Sequence, residues 1–403
     1  MVHPGDFGQR LQRLRRRAGM TRSVLGELAG RSASWVKAVE TGRLQQPRLP
    51  MLIRLAEILD IGDLRELTGE QALSRASYGK TVHPALAKVS EALVSYPVAA
   101  SSNDPDLSAA ALAARTRQAW ALWHGAACQR SAVATVLPGL LCDARIGVRQ
   151  LDGNERRMAL STLAQVYHLT QLYLSFQPAA ALVLMSGDRA MTAAQDADDP
   201  HAMAAAAWYV NHIYRDAGEQ HEARVELARE VSDLLAPEQS DNDRALWGLL
   251  QLAMSLSYAK VGREGDALRY WDNADRAARS LGDAYCHPWL IFGRQMVQAY
   301  AITVQLDLMH SGYAIRQASK VDLTKMPSAT RRSFHTAEIA RAHHMRDEPM
   351  AAVALLGKAH KESPDTFGFS LFARSAVPDL VAHGGATVRP DAKRLASVLG
   401  LAP

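Results

Sequence analysis

Residues 21–42 read Thr-Arg-Ser-Val-Leu-Gly-Glu-Leu-Ala-Gly-Arg-Ser-Ala-Ser-Trp-Val-Lys-Ala-Val-Glu-Thr-Gly. Thr21 and Ser32 are residues whose side-chain oxygens accept from the free amides of a first helical turn, so each predicts a helix start. Gly30 tolerates positive φ and closes the first helix; Gly42 closes the second. Gly26 is the small residue needed where two such helices touch. Leu25, Leu28 or Ala29, Val36 and Val39 supply the apolar contacts inside each helix. Two short helices follow, joined by a tight turn, with the second one's N-terminus aimed outward.

Working outward, residues 5–67 read as five short helices. Phe7, Leu11 and Leu14 recur at helical spacing before the quoted stretch. After it, Pro47 and Pro50 mark a loop, Leu52, Leu55, Ala56 and Leu59 a fourth helix, and a short fifth begins near Asp63. Charge singles out the same segment. Residues 1–50 hold ten Lys/Arg and three Asp/Glu, a balance of +7, whereas the whole 403-residue chain carries +5. The remainder is therefore weakly acidic at −2, and the asymmetry points to a polyanion as the partner of the N-terminal segment.

The quoted stretch resembles the lambda-repressor-like, xenobiotic-response-element (XRE) class of helix-turn-helix regulators. It aligns without gaps to the pattern Thr/Ser-Gln-x-x-Leu-Ala-x-x-Ala-Gly-x-Ser-x-x-x-Ile-x-x-x-Glu-x-Gly, and the likeness extends over residues 5–67. Arg22, Gly26 and Arg31 depart from it, replacing glutamine, alanine and an apolar residue. Gly26 is expected to cost up to ~1 kcal/mol of helix propensity against alanine. The resemblance implies that the second helix, about Ser32 to Thr41, enters the major groove of an operator duplex. Ala33, Ser34, Lys37 and Ala38 would then face base edges, with Ser32 at the helix start. Arg22, Trp35 and Arg43 would meet phosphates, Trp35 being equally suited to the core. The family also places a pair at Arg15 and Glu40, tying the first helix to the end of the recognition helix.

The fold class expected is all-α: a five-helix lambda-repressor-like domain over 1–70, a linker with one helix (Pro84 to Ser95) over 71–106, and an α-solenoid over 107–403. The run Pro97–Pro105 is loop chemistry. Beyond it every pattern is helical, punctuated at Asp152-Gly153, Asp199-Pro200, Pro237, Gly282, Met326-Pro327, Ser363-Pro364 and Gly384-Gly385. Tyr214, Gly218 and Ala223 recur as Tyr258, Gly262 and Ala267. The tyrosine packs between helices, the glycine turns the chain and the alanine lets the second helix approach the first. This resembles the tetratricopeptide repeat, with about five helix pairs between 155 and 382, since one pair cannot bury its apolar face alone.

A helix-turn-helix module ahead of such repeats resembles actinobacterial XRE regulators and, more loosely, the peptide-sensing regulators of Gram-positive bacteria. The architecture implies a small-molecule or peptide effector in the repeats, and a homodimer on an inverted-repeat operator. Trp208, His212 and Arg215 share one helical face; Arg294 and Tyr300 join them as candidate ligand contacts, against the reading that Trp208 is core. A DNA-tethered scaffold for a protein partner is the alternative: a polar pocket favours the sensor, an open groove the scaffold.

No nucleotide-binding glycine loop, zinc-protease or serine-hydrolase motif is present, so neither an enzyme nor a cofactor is expected. His343 and His344 point about 100° apart on a helix, which with His335 makes a poor metal site. Asp196, Asp198 and Asp199 lack calcium-loop spacing. Cys128, Cys142 and Cys286 are expected to be buried reduced thiols. With no secretory leader and no apolar run of ~20 residues, a cytoplasmic location is expected and a membrane association is not.

Overall fold

The computed structural model describes residues 7–44, 46–47, 49–69, 80–96, 98, 107–215 and 221–401. Among them every regular element is helical, and the fold is all-α. The first unit comprises α1 (Phe7–Arg17), α2 (Arg22–Leu28), α3 (Ala33–Glu40), α4 (Leu49–Ile58) and α5 (Arg65–Thr68). Both expected caps are made: Thr21 Oγ1 accepts from Val24 N at 3.2 Å and Ser32 Oγ from Trp35 N at 3.0 Å. Each contributes ~1 kcal/mol to its helix. Leu11, Leu25, Val36, Leu52, Leu55 and Leu67 form the fully buried centre. Of the two residues open in the sequence, Ala29 is the one inside, while Leu28 is 48% exposed. Pro50 lies in the first turn of α4 rather than in a loop, where its missing amide is harmless.

Gly26 corrects a propensity argument. A methyl group there would fall 2.8 Å from the Arg31 carbonyl oxygen and 3.0 Å from Ser32 C. The α2–α3 turn is drawn in so tightly that alanine, the better helix former, does not fit.

Helix α6 (Leu86–Val94) packs with the large C-terminal body, placing Val89 and Leu93 in its core. The loop expected between Pro97 and Pro105 falls, but for Val98, outside the described residues. Then come α7 (Ala109–Gly125), α8 (Gln129–Ala134) and α9 (Leu137–Gln150). Five helix pairs follow: α10 (Gly153–Leu174) with α11 (Ala180–Asp196), α12 (Pro200–Arg215) with α13 (His221–Ser232), α14 (Asp241–Lys260) with α15 (Glu264–Leu281), α16 (Arg294–Asp307) with α17 (Ser311–Ala318), and α18 (Ala329–His344) with α19 (Pro349–Glu362). The chain ends in α20 (Pro364–Gly368), α21 (Leu371–His383) and α22 (Gly385–Val398).

The first helices of successive pairs touch one another, α10 to α12 to α14 to α16 to α18, as a stack of repeats requires. Helix α7 lies against both α10 and α18. It therefore bridges the first pair and the last, and the array closes on itself. The mechanical reading of the repeat holds in the α14–α15 pair. Tyr258 stacks on Tyr270 across the two helices (5.6 Å, 19°), Gly262 turns the chain at φ +78°, and Ala267 is fully buried with its carbonyl accepting from Ser255 Oγ. One pair earlier it fails by a residue: Ala223 is exposed and Arg224 takes the buried position. Gly218 and the side chain of Tyr214 lie outside the described residues.

At Gly282, where short punctuation was expected, the break is a loop over residues 282–293. Pro288 breaks the apolar run, and Leu290, Ile291 and Phe292 plug inward as a loop, Ile291 at φ +61°. Cys128 and Cys142 are exposed free thiols, which corrects their expected burial; Cys286 is half-buried. Asp199 is a helix cap, its carboxylate accepting from the amides of His201 and Ala202 and from Ser161 Oγ. His343 pairs with Glu348 and His344 with Asp379. No helix among the described residues is long and apolar enough to cross a membrane.

Candidate nucleic-acid interface

Helix α3 is held from behind by a buried ion triad. Glu40, at its last turn, has a fully buried carboxylate. Arg15 of α1 binds it in a fork, Nε to Oε1 at 2.6 Å and Nη2 to Oε2 at 3.2 Å, and donates to the Met20 carbonyl at 2.7 Å. Arg22, at the start of α2, donates to Oε2 at 2.7 Å. Burial by itself would push the Glu40 pKa up; the hydrogen bonds and charges of Arg15 and Arg22 outweigh it and hold the carboxyl below its ordinary value. Thus α1, α2 and α3 are fixed to one another by one carboxylate. The Arg15–Glu40 link was legible from the family pattern, whereas the engagement of Arg22 was not.

Ala33, Ser34 and Lys37 are exposed together on the outer side of α3, with Arg43 exposed just beyond its end. Three expected base-facing or DNA-facing residues are not presented in this way. Ala38 is 5% exposed, because the chain folds back after Gly42 and Leu44 N donates to its carbonyl at 3.0 Å. Ser32 is 6% exposed. Arg22 faces Glu40 instead of projecting freely. Trp35 is half-buried against the apolar core, with the Arg31 guanidinium 5.9 Å from its ring centre. Several basic residues counted in the sequence are structural: Arg10 donates to the carbonyls of Leu67 and Thr68 at the end of α5, and Arg54 to that of Leu28 at the end of α2. Arg13 and Arg16 remain on the exposed side of α1.

A capped helix, a tight glycine turn and a second capped helix showing small and basic side chains outward make up a DNA-reading element. Residues 6–80 match the helix-turn-helix domain family. The N-terminal unit is a helix-turn-helix DNA-binding domain. This helix-turn-helix domain gives the chain the character of a DNA-binding regulator. No curated protein matches the chain.

The helix-turn-helix domain is seated on the repeats by its reading end. The α14–α15 turn reaches the α2–α3 turn so closely that a methyl group on Gly262 would fall 2.4 Å from Ser32 Cβ. Beside this contact lies a cleft of about 650 Å³, lined by Glu27, Arg31 and Arg54 from the DNA-binding side and by His221, Glu222 and Arg263 from the repeats, among others. Burial depresses the His221 pKa, as do Arg224 and Arg263, against the raising effect of Glu222 and Glu27.

Inside the repeats, the candidate ligand residues are partly gathered. Trp208 and His212 meet edge to face at 4.5 Å, and Trp208 meets Tyr300 at 5.9 Å. Both Trp208 and Tyr300 are buried in the core rather than open on a groove. Trp120 of α7 and Trp289 of the 282–293 loop pack against the rings of the repeats here. Arg294 is not brought to them: it is half-buried and paired with Asp283 at 2.5 Å. The Arg215 side chain lies outside the described residues. What the sequence did not reveal is a ladder of stacked rings continuing this cluster. His168 lies 4.6 Å from Tyr209 and 6.0 Å from Trp289, all nearly parallel, and Trp120 lies 4.9 Å from Trp289. His335 meets Tyr300 at 4.8 Å, and Arg331 donates to the Tyr300 hydroxyl. Burial lowers the pKa of His168 and of His335 to about 3, so both rings are neutral. The ring nitrogens of these two histidines and the indole N–H groups of Trp120 and Trp208 have no hydrogen-bond partner among the described residues.

Proposed function

We propose that the chain is an XRE-type, sequence-specific transcription regulator, without enzymatic activity, whose tetratricopeptide-like repeats sense a small molecule or peptide. The observation that carries the DNA reading is α3: Ala33, Ser34 and Lys37 exposed on one side of a helix locked in place by Glu40. Lys37 suits a guanine edge, Ser34 either a donor or an acceptor, and the Ala33 methyl a thymine methyl. Arg43, Arg13 and Arg16 supply phosphate contacts. Binding as a homodimer would set two half-sites about one helical turn, ~34–36 Å, apart. A cytoplasmic location fits this role.

Two features favour a sensor over a scaffold. Among the described residues α7 packs against both the first and the last pair, so the array is bridged rather than left open along its length for a partner helix. The ring ladder offers polar groups at buried positions, the type of lining that orients a small ligand, and the open interdomain cleft adds charged side chains from both domains. The test is selection of duplexes from a random pool by the full chain, followed by titration of the winning sequence across metabolite and peptide panels. Enrichment of an inverted repeat, with an effector that alters its affinity, supports the proposal. A chain that enriches no sequence contradicts the DNA reading. An effector that binds yet leaves DNA affinity unchanged contradicts the sensor reading.

A further inference from the structure

The first turn of a recognition helix is the part that enters the major groove, a channel ~12 Å wide and ~8.5 Å deep. Here the cap of that turn is covered, although Ala33 and Ser34 just beyond it stay exposed. Ser32, the cap of α3, is buried beneath the α14–α15 turn, and Gly262 touches it. Two separate demands meet at Gly262. Its φ of +78° closes the repeat turn, and its missing side chain lets Ser32 approach. No duplex can admit the start of α3 while the backbone of another domain lies against it.

The seam is built to separate. Among the described residues the apolar cluster of the helix-turn-helix domain is distinct from that of the repeats, and no shared core spans the two. What lies between them is the charged cleft of about 650 Å³, with Glu27, Arg31 and Arg54 facing His221, Glu222 and Arg263. Polar interdomain contacts of this kind permit relative movement, whereas a large apolar interface does not.

We propose that the repeat domain is an autoinhibitory docking surface whose occupant is the α2–α3 turn of its own chain, and that specific DNA binding requires this contact to open. This rests on the DNA reading above. The chain then exists as a latched form unable to bind and an open form able to bind, and measured affinity is scaled down by the open fraction. An effector acts by binding one form in preference to the other.

The test uses two matched substitutions in the full chain. Asparagine tolerates the left-handed backbone, so Gly262→Asn keeps the turn while driving a side chain into Ser32. Gly400→Asn imposes the same backbone demand at φ +62°, in a turn closed by the same pair of backbone hydrogen bonds, where nothing lies within 4 Å. Affinity is measured for the duplex that the unsubstituted chain itself selects from a random pool. The expected result is binding about tenfold tighter or more for Gly262→Asn, as for a latch closed at least nine times in ten, with Gly400→Asn unchanged. Equal affinity of both variants and the parent overturns the latch while leaving the DNA reading intact. Selection of a duplex by Gly262→Asn but not by the parent also supports the latch, whereas failure of both to select any duplex overturns the DNA reading itself. Should Gly262→Asn fail to fold, amide exchange in the parent decides: saturating duplex must speed exchange at residues 260–264, and unaltered exchange there overturns the proposal.

Discussion

Removing the Glu40 carboxylate should loosen the helix-turn-helix domain far more than a typical surface charge change. In Glu40→Ala, Arg15 keeps a guanidinium that is 8% exposed but loses both of its carboxylate bonds. Breaking a buried pair from one side costs ~3–5 kcal/mol. Arg22 adds little, because at 35% exposure water takes over its solvation. A loss of ~3 kcal/mol corresponds to roughly 150-fold faster exchange at amides that open with the domain. The assay is amide exchange on the full chain, read at Leu14, Leu25 and Val36, with the α14 amides of Leu249 and Leu252 as the internal reference. Exchange at the first three positions should rise by about that factor while the reference holds. Unchanged exchange across α1–α3 would refute the reasoning. Acid should mimic the substitution. The Glu40 pKa is lowered by Arg15 and Arg22, so its contribution is complete above the unfolded carboxyl value of ~4.3 and is lost as pH falls through the lower folded value.

Lys37→Ala should weaken operator binding and relax base preference, by ~1–3 kcal/mol if the lysine donates to a guanine; selection from a random pool with an unchanged logo would count against it. Arg43→Ala should weaken all duplexes alike and reduce the salt slope by about one unit, read from affinity at several ionic strengths. Gly26→Ala should lower the melting temperature despite the gain in helix propensity, since overpacking of this kind costs ~1–3 kcal/mol; a higher melting temperature would show that the turn can relax.

The helix-turn-helix domain was legible because local rules agree there. Caps at Thr21 and Ser32, glycines at Gly30 and Gly42 and an apolar spacing of three or four all specify the same two helices. The five repeat pairs were legible for a similar reason, since Pro and Gly mark their turns. Facts set by long-range contact were not. Nothing in the local spacing shows that Arg22 shares Glu40 with Arg15, that Ala38 is covered by the returning chain, or that Arg10 and Arg54 serve carbonyls. The excess of basic residues therefore overstated the positive surface offered to DNA. The ring ladder escaped for the same reason, its members coming from α7, α10, α12, α18 and the 282–293 loop. The meeting of Ser32 and Gly262, 230 residues apart, has no signal in either segment alone.

The central claim is that the outer side of α3 reads the major groove. It is tested most directly by placing a photo-crosslinking amino acid at Ser34 of the full chain and mapping its adducts on the selected duplex. Adducts confined to major-groove bases at one position in each half-site are the result expected. Adducts scattered along the backbone, or none at Ser34 while an equivalent probe at exposed Arg13 on α1 crosslinks to bases, would contradict it.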